Sequence, residues 1–260
     1  MCTISIISLD AAASAQDRAG AGLRIVCNRD ESRRRPPAAP PKWRPSGAGR
    51  AIWPMDLEAG GTWIGATQAG LALCLLNLNP DPPIDLRGRG KLHSRGLVIP
   101  HLLQFATLPA VADELVRMNL RRFAPFRLIG VEAGPERVVL EARWDRTRLS
   151  MCWHSGVPIC FVSSGLGDAM VEPRLELFED LVGAPGPGPQ RQDEFHRHTW
   201  PDRPELSVLM SRRDARTVSI ATLEIRPAPR GVAVEMAYEP IPDAFGATPV
   251  VPALARADRP

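Results

Sequence analysis

The chain has 260 residues, 44% hydrophobic and 23% charged, with a formal net charge of only +3. That balance excludes a disordered polyelectrolyte and leaves enough apolar material for one large core. Lysine occurs only at Lys42 and Lys91, and the many arginines have no aromatic residues interleaved with them, so no nucleic-acid partner is expected.

No apolar run approaches the ~18 residues that span a bilayer. Residues 1–10, MCTISIISLD, lack the basic start and continuous apolar stretch of a signal peptide. A cytoplasmic protein without integral membrane contact is therefore expected. Residues 4–9 alternate instead, which predicts a half-buried strand. Residues 11–22 are small and polar and read as a loop, and residues 23–30 read as a second strand paired with the first. Prolines crowd residues 33–49, where no regular element is expected. Residues 60–67 and 71–77 predict a hairpin around the turn Gln68-Ala69-Gly70.

Helices follow. Ser94 reads as an N-cap for a helix over 95–106, and Pro109 as the first turn of another over 109–119. Four strands are expected at 126–131, 137–144, 149–154 and 157–163. A third helix is expected at 172–182, a Pro/Gly loop at 183–189 and a short helix at 190–198. Residues 217–225 and 231–238 read as a closing hairpin. Strands and helices come in blocks rather than in β–α alternation, which predicts an α+β domain of antiparallel sheets covered by helices. One domain is expected over 1–240, with an extended tail at 241–260.

Five cysteines, Cys2, Cys27, Cys74, Cys152 and Cys160, contain no Cys-x-x-Cys pair. In a reducing compartment they remain thiols. Cys27, Cys74 and Cys160 sit in apolar runs and read as small core residues. No glycine-rich phosphate loop is present: Gly90-Lys91 lacks both the upstream Gly and the following Ser or Thr. His196 and His198 lack a third ligand at a diagnostic spacing and read as a polar helix face. Neither a metal nor a cofactor is expected. Trp43, Trp53 and Trp63 read as core packing near the Gly60-Gly61 turn.

Cys2 stands apart because of its position. Cysteine is small enough for the initiator methionine to be removed, which leaves a thiol and an α-amine on one residue. The amine has an ordinary pKa near 7.7–8.0 and can act as general base for its own thiol. Strand alternation puts Asn28 and Asp30 on one face, Cys27 and Arg29 on the other. Asp30, opposite the start of the first strand, is a candidate to hold the amine. Asn77 ends an apolar strand and is a candidate oxyanion donor.

The set Met1-Cys2, Asn28-Arg29-Asp30-Glu31, Gly60-Gly61-Thr62-Trp63-Ile64-Gly65 and Gly70-Leu71-Ala72-Leu73 up to Asn77 resembles the NRDE family, which includes Tango2-like proteins. Ser94-Arg95-Gly96 and the stretch 163–168 are similar to bacterial members, so the likeness runs over most of residues 1–240. The family in turn resembles N-terminal-nucleophile hydrolases, in particular choloylglycine hydrolases and penicillin V acylases. The resemblance implies a four-layer αββα sandwich with Cys2 as nucleophile. It maps that branch's Asn and Asp onto Asn28 and Asp30 and its oxyanion-side Asn onto Asn77. The branch's Arg falls on Cys27 and a second Asn on Ser164, while Arg216 aligns loosely with a later Arg. The function implied is a cysteine amidohydrolase or acyltransferase acting on a small non-peptide amide, with Cys2, Asp30, Arg29 and Asn77 in the chemistry. The alternative is a binding or transfer protein for a hydrophobic ligand such as a lipid, an acyl-CoA or haem. Oligomeric state is not legible.

Overall fold

The computed structural model describes residues 2–9, 22–79, 82, 84, 92–134, 137–183 and 188–243, and the backbone of 253–256. Met1, most of the loop expected at 11–22, Lys91, the centre of the loop expected at 183–189 and most of 244–260 lie outside the described residues.

Two antiparallel sheets lie face to face. The first runs in the order β10-β1-β2-β11-β12-β13, from Ile159–Val162, Cys2–Ser8, Leu23–Ser32, Ala215–Ala228, Gly231–Pro240 and Ala253–Arg256. The second runs consecutively from β3 to β9: Ala39–Ser46, Gly49–Met55, Ile64–Thr67, Leu71–Asn77, Phe126–Glu132, Val138–Trp144 and Leu149–Ser155. β9 and β10 are neighbours in the chain but belong to different sheets. Three buried clusters define the layers. Ile4, Ile25, Ile64, Leu76, Ile129 and Leu223 pack between the sheets. Val98, Leu102, Val111, Leu115, Leu73 and Leu128 pack the second sheet against α1 (Val98–Leu102) and α2 (Leu108–Arg117). Ile7, Phe178 and Phe195 pack the first sheet against α3 (Pro173–Phe178) and α4 (Gly188–Arg197). The result is the expected four-layer αββα sandwich.

Several expectations need correction. Residues 33–49 hold an edge strand, β3, despite Pro40, Pro41 and Pro45. An edge strand leaves one row of N–H groups unpaired by the sheet, so proline is tolerated there. Residues 95–106 do not form one helix. A 3₁₀ turn, Arg95–Leu97, leads into the short α1, and Ser94 makes no side-chain cap. α2 begins at Leu108, with the Thr107 side chain accepting from the Ala110 N–H at 3.4 Å. The third helix ends at Phe178 and continues as a π turn over Glu179–Gly183.

β1 is not half-buried, because helices cover one face of its sheet and the second sheet covers the other. Thr3 and Ser5 are fully buried despite their hydroxyls. Register is set by the long pairing of β1 with β2, in which Cys2 lies opposite Arg29, Thr3 opposite Asn28 and Ile4 opposite Cys27. Side chains of Cys2, Ile4, Ile25 and Cys27 therefore enter the inter-sheet core, while Thr3, Ser5, Asn28 and Asp30 face the helices.

Candidate active site

The first residue of β1 opens onto a cavity. It has a volume of about 520 Å³, and its walls include Cys2, Arg29, Asp30, Asn77, Trp63 and Arg95. Cys2 is buried, with 4% of its surface exposed. Its backbone nitrogen lies 3.1 Å from Ser163 Oγ, and its carbonyl accepts from the Ser163 N–H at 3.0 Å. β10 thus brackets Cys2 from one side and β2 from the other, so the candidate nucleophile sits on a fixed strand end.

The Cys27 thiol lies against Cys2, one diagonal step across the ladder. Its S–H donation favours the Cys2 thiolate and holds that thiol below its ordinary range, against the opposing effect of burial. Burial, and the cost of giving that hydrogen bond away, push the Cys27 thiol well up. Burial also pushes the Cys74 thiol up, with the nearby Cys2 thiolate adding to it. Where the resemblance places an arginine, this chain has a buried neutral thiol, which also lies 3.8 Å from the Asn28 carbonyl oxygen.

Asp30 is fully enclosed. Thr217 Oγ1 donates to it at 2.6 Å, and Arg174 Nη1 lies 3.6 Å from its other oxygen. Burial raises its pKa, and Arg174 and Thr217 only partly oppose the rise. Arg29 leaves the strand on the opposite face. Its guanidinium stacks 4.3 Å from the Trp63 ring and reaches Asp56 at 2.5 Å. Asp56 also receives Arg35 at 2.9 Å, and its other oxygen accepts from the Glu58 and Ala59 N–H groups at 3.0 Å each. This carboxylate therefore both folds the loop over 56–61 and neutralises two arginines. Asn77 ends β6 at the cavity wall. Among the described residues its carboxamide takes no hydrogen bond, so both N–H groups are available to a ligand.

Cys2, Asp30, Arg29 and Asn77 thus come together around one cavity, and the other candidates do not. Asn28 is fully buried on the helix face. Its amide donates to the carbonyls of His196 and Val208 at 2.9 Å each, and its oxygen meets His196 Nδ1 at 2.8 Å. Both amide hydrogens are used, so the Asn28 oxygen accepts and His196 Nδ1 carries the proton. Ser5 Oγ lies 2.6 Å from His196 Nε2 and also accepts from Gln192 at 2.8 Å. Burial holds the His196 pKa well down, helped by Arg24, Arg197 and Arg174, so the imidazole is neutral. His196 is therefore a buried link between α4 and the sheet, not part of the polar helix face expected from the sequence. Ser164 closes a tight turn, accepting from the Leu166 N–H at 3.1 Å, while its own N–H binds Asp168 at 3.0 Å. Arg216 turns to the carbonyls of Thr217 and Ile241 at 3.0 and 2.6 Å and to Asp243 at 3.3 Å. Neither residue lines the cavity.

Four contributors were not legible in advance: Ser163, Arg174, Thr217 and Asp56. Each acts through a partner far away in the chain. The one available signal was Arg174, a lone cation on the apolar side of a predicted helix. Of the three tryptophans, Trp63 lines the cavity, Trp43 packs against the inter-sheet core and Trp53 lies in the outer cluster.

Among the described residues no cluster of acids, histidines and cysteines has the geometry of a metal site. No described helix is long and apolar enough to cross a membrane.

Comparison with known proteins places this geometry in a family. No curated protein matches the chain. Among solved structures it is similar to the N-acylethanolamine-hydrolyzing acid amidase ortholog of Caenorhabditis elegans, at 16% identity and a TM-score of 0.52, over 88% of this chain and 94% of that one. A conjugated bile acid hydrolase of Clostridium perfringens (variant R18L) gives 10% identity and a TM-score of 0.49, over 98% and 92% of the two chains. The penicillin V acylase of Agrobacterium tumefaciens gives 13% and 0.45, over 92% and 83%. At 16% identity the likeness to the amidase ortholog establishes the shared fold alone. The family described as Transport and Golgi organisation 2 matches residues 1–164, more than half the chain, and the chain therefore belongs to the Transport and Golgi organisation 2 family, to which its Asn28-Arg29-Asp30-Glu31 motif pointed.

Proposed function

We propose that the protein is an N-terminal-cysteine amidohydrolase acting on a small non-peptide amide. The observation that carries this reading is the cavity itself, whose walls hold a thiol at the first strand position, a carboxamide that takes no hydrogen bond among the described residues, and a buried carboxylate. Removal of Met1 turns the Cys2 nitrogen into an α-amine, held by Ser163 Oγ. The thiolate attacks the substrate carbonyl, and the Asn77 N–H groups receive the developing oxyanion. The α-ammonium gives its proton to the leaving amine as the carbon–nitrogen bond breaks, leaving a thioester on Cys2. Water, deprotonated by the now neutral amine, then releases the carboxylate. Asp30 fixes the strand end and the charge balance beside the amine, and Arg29 shapes the wall.

The intact mass of the purified protein tests the first requirement: Met1 absent. Incubation with a panel of acyl amides tests the second, with transient acylation of Cys2 expected and none in Cys2→Ala. If wild type and Cys2→Ala release amine at equal rates, the reading is wrong.

A further inference from the structure

The walls of the cavity contain three arginines, and their situations differ. Arg29 is paired with Asp56, and Arg35 with Asp56 at 2.9 Å and Glu58 at 3.2 Å. Arg95 forms no salt bridge among the described residues, and the acid acting on its charge, Glu31, does so without a hydrogen bond. One of its nitrogens donates to the Pro125 carbonyl at 2.8 Å, and the remaining donors are uncommitted. Its position is imposed by backbone packing. Gly96 O accepts from the Thr62 N–H at 2.9 Å, and a Cβ at Gly61 would stand 2.4 Å from the Gly96 carbonyl carbon. Only glycine at 61 lets the turn over 95–97 press onto the loop beneath it. That contact sets Arg95 into the same cavity as Cys2, close enough for their charges to interact.

A guanidinium is charged at every physiological pH, and burial without a counter-ion is costly. Its fork of N–H donors matches a planar carboxylate in two parallel hydrogen bonds. The cavity also contains Glu31, Glu58, Asp30 and Asp56. Four acids against three arginines give the walls no net positive charge, so attraction of an anion has to come from Arg95 locally, and a single carboxylate suits it better than a doubly charged group.

We propose that Arg95 is the substrate-recognition group of the cavity, and that the amide it takes carries a carboxylate near the carbonyl that Cys2 attacks. This rests on Cys2 as the reacting group, so the test separates the two ideas. Alkylation forms a sulfur–carbon bond and expels iodide whether the reagent is iodoacetate or iodoacetamide. Only iodoacetate carries the carboxylate.

The rates of both reagents are measured at Cys2 and, as an internal control, at the exposed Cys152, by peptide mass analysis of wild type, Arg95→Gln and Arg95→Lys. The ratio of iodoacetate to iodoacetamide rates at Cys2 is expected to exceed that at Cys152 by about tenfold, as one charge-assisted contact provides. It is expected to collapse to the Cys152 value in Arg95→Gln and to recover partly in Arg95→Lys. A ratio unaffected by Arg95→Gln overturns the proposal even if Cys2 reacts fast. If Cys2 reacts with neither reagent, the nucleophile reading fails, and binding to Cys2→Ala decides Arg95 alone. Hippurate is then expected to bind at least about tenfold more tightly than its neutral counterpart N-benzoylglycinamide, and equal affinity overturns the inference.

Discussion

The paired strands β1 and β2 present two faces that have solved opposite problems. On the helix face, Thr3, Ser5, Asn28 and Asp30 are all buried and all bonded, to Arg174, His196, Gln192 and Thr217. On the cavity face, Cys2 and the neighbouring Asn77 and Arg95 keep bonding capacity in reserve. A saturated polar network specifies how the helices dock, whereas reactive groups need unused capacity for a substrate. Polar residues of one small region are therefore divided into structure and chemistry by which way their side chains point.

Substitutions on the two faces are expected to separate activity from stability, and five experiments sharpen or break that division. The largest effect is expected from Cys2→Ala, which removes the proposed nucleophile: turnover of any amide substrate falls on the order of 10⁴-fold or more. Its thermal unfolding midpoint moves little, because only a sulfur atom is lost. A large drop in the midpoint would break the division.

Arg174→Leu comes next, on the helix face. It strands Asp30 and Thr3, and denaturant titration should show a loss of about 3–5 kcal/mol. Asn77→Ala is expected to lower kcat by about 10²- to 10³-fold with KM and stability nearly unchanged, as loss of one oxyanion donor does. A stability loss comparable to that of Arg174→Leu would move Asn77 to the structural side.

The smallest effects are in pH dependence, one on each face. On the cavity face, the Cys27 thiol favours the Cys2 thiolate. Alkylation of Cys2 should therefore turn on at a pH below that of an ordinary thiol, and Cys27→Ala should move that inflection upward. On the helix face, His196 is held neutral, its folded pKa far below the unfolded value near 6.5. The unfolded chain then binds a proton that the folded chain does not, so stability is full above about 6.5 and falls as pH drops below it. His196→Gln should flatten that part of the stability profile, read as melting temperature against pH.

Much of this was visible in the chain before any coordinates. Hydrophobic runs located the hairpin β5–β6, the strands β7, β8 and β9 and the closing pair β11–β12, because each run depends on its own alternation and turn residues. The order of blocks gave antiparallel layers. Where local rules and global position disagreed, the prediction failed: the prolines of β3 are permitted only because that strand ends a sheet. Thr3 and Ser5 looked solvent-facing because nothing in β1 announces that helices from residues 173–197 will cover them.

The amino-acid sequence by itself determined the frame of the candidate site: a cysteine at position 2, a strand to hold it, and the alternation that sends Arg29 and Asp30 to opposite faces. Those follow from chain position and from the two-residue period of a strand. Tertiary structure alone decided which polar groups would be spent. Asn28 lies one residue from Arg29, yet it is consumed by His196 and Val208, and Ser164 is consumed by its own turn, while Asn77 and Arg95 reach the cavity with donors unused among the described residues. The partners that consume Asn28 lie well over a hundred residues away in the chain, and no local pattern records them.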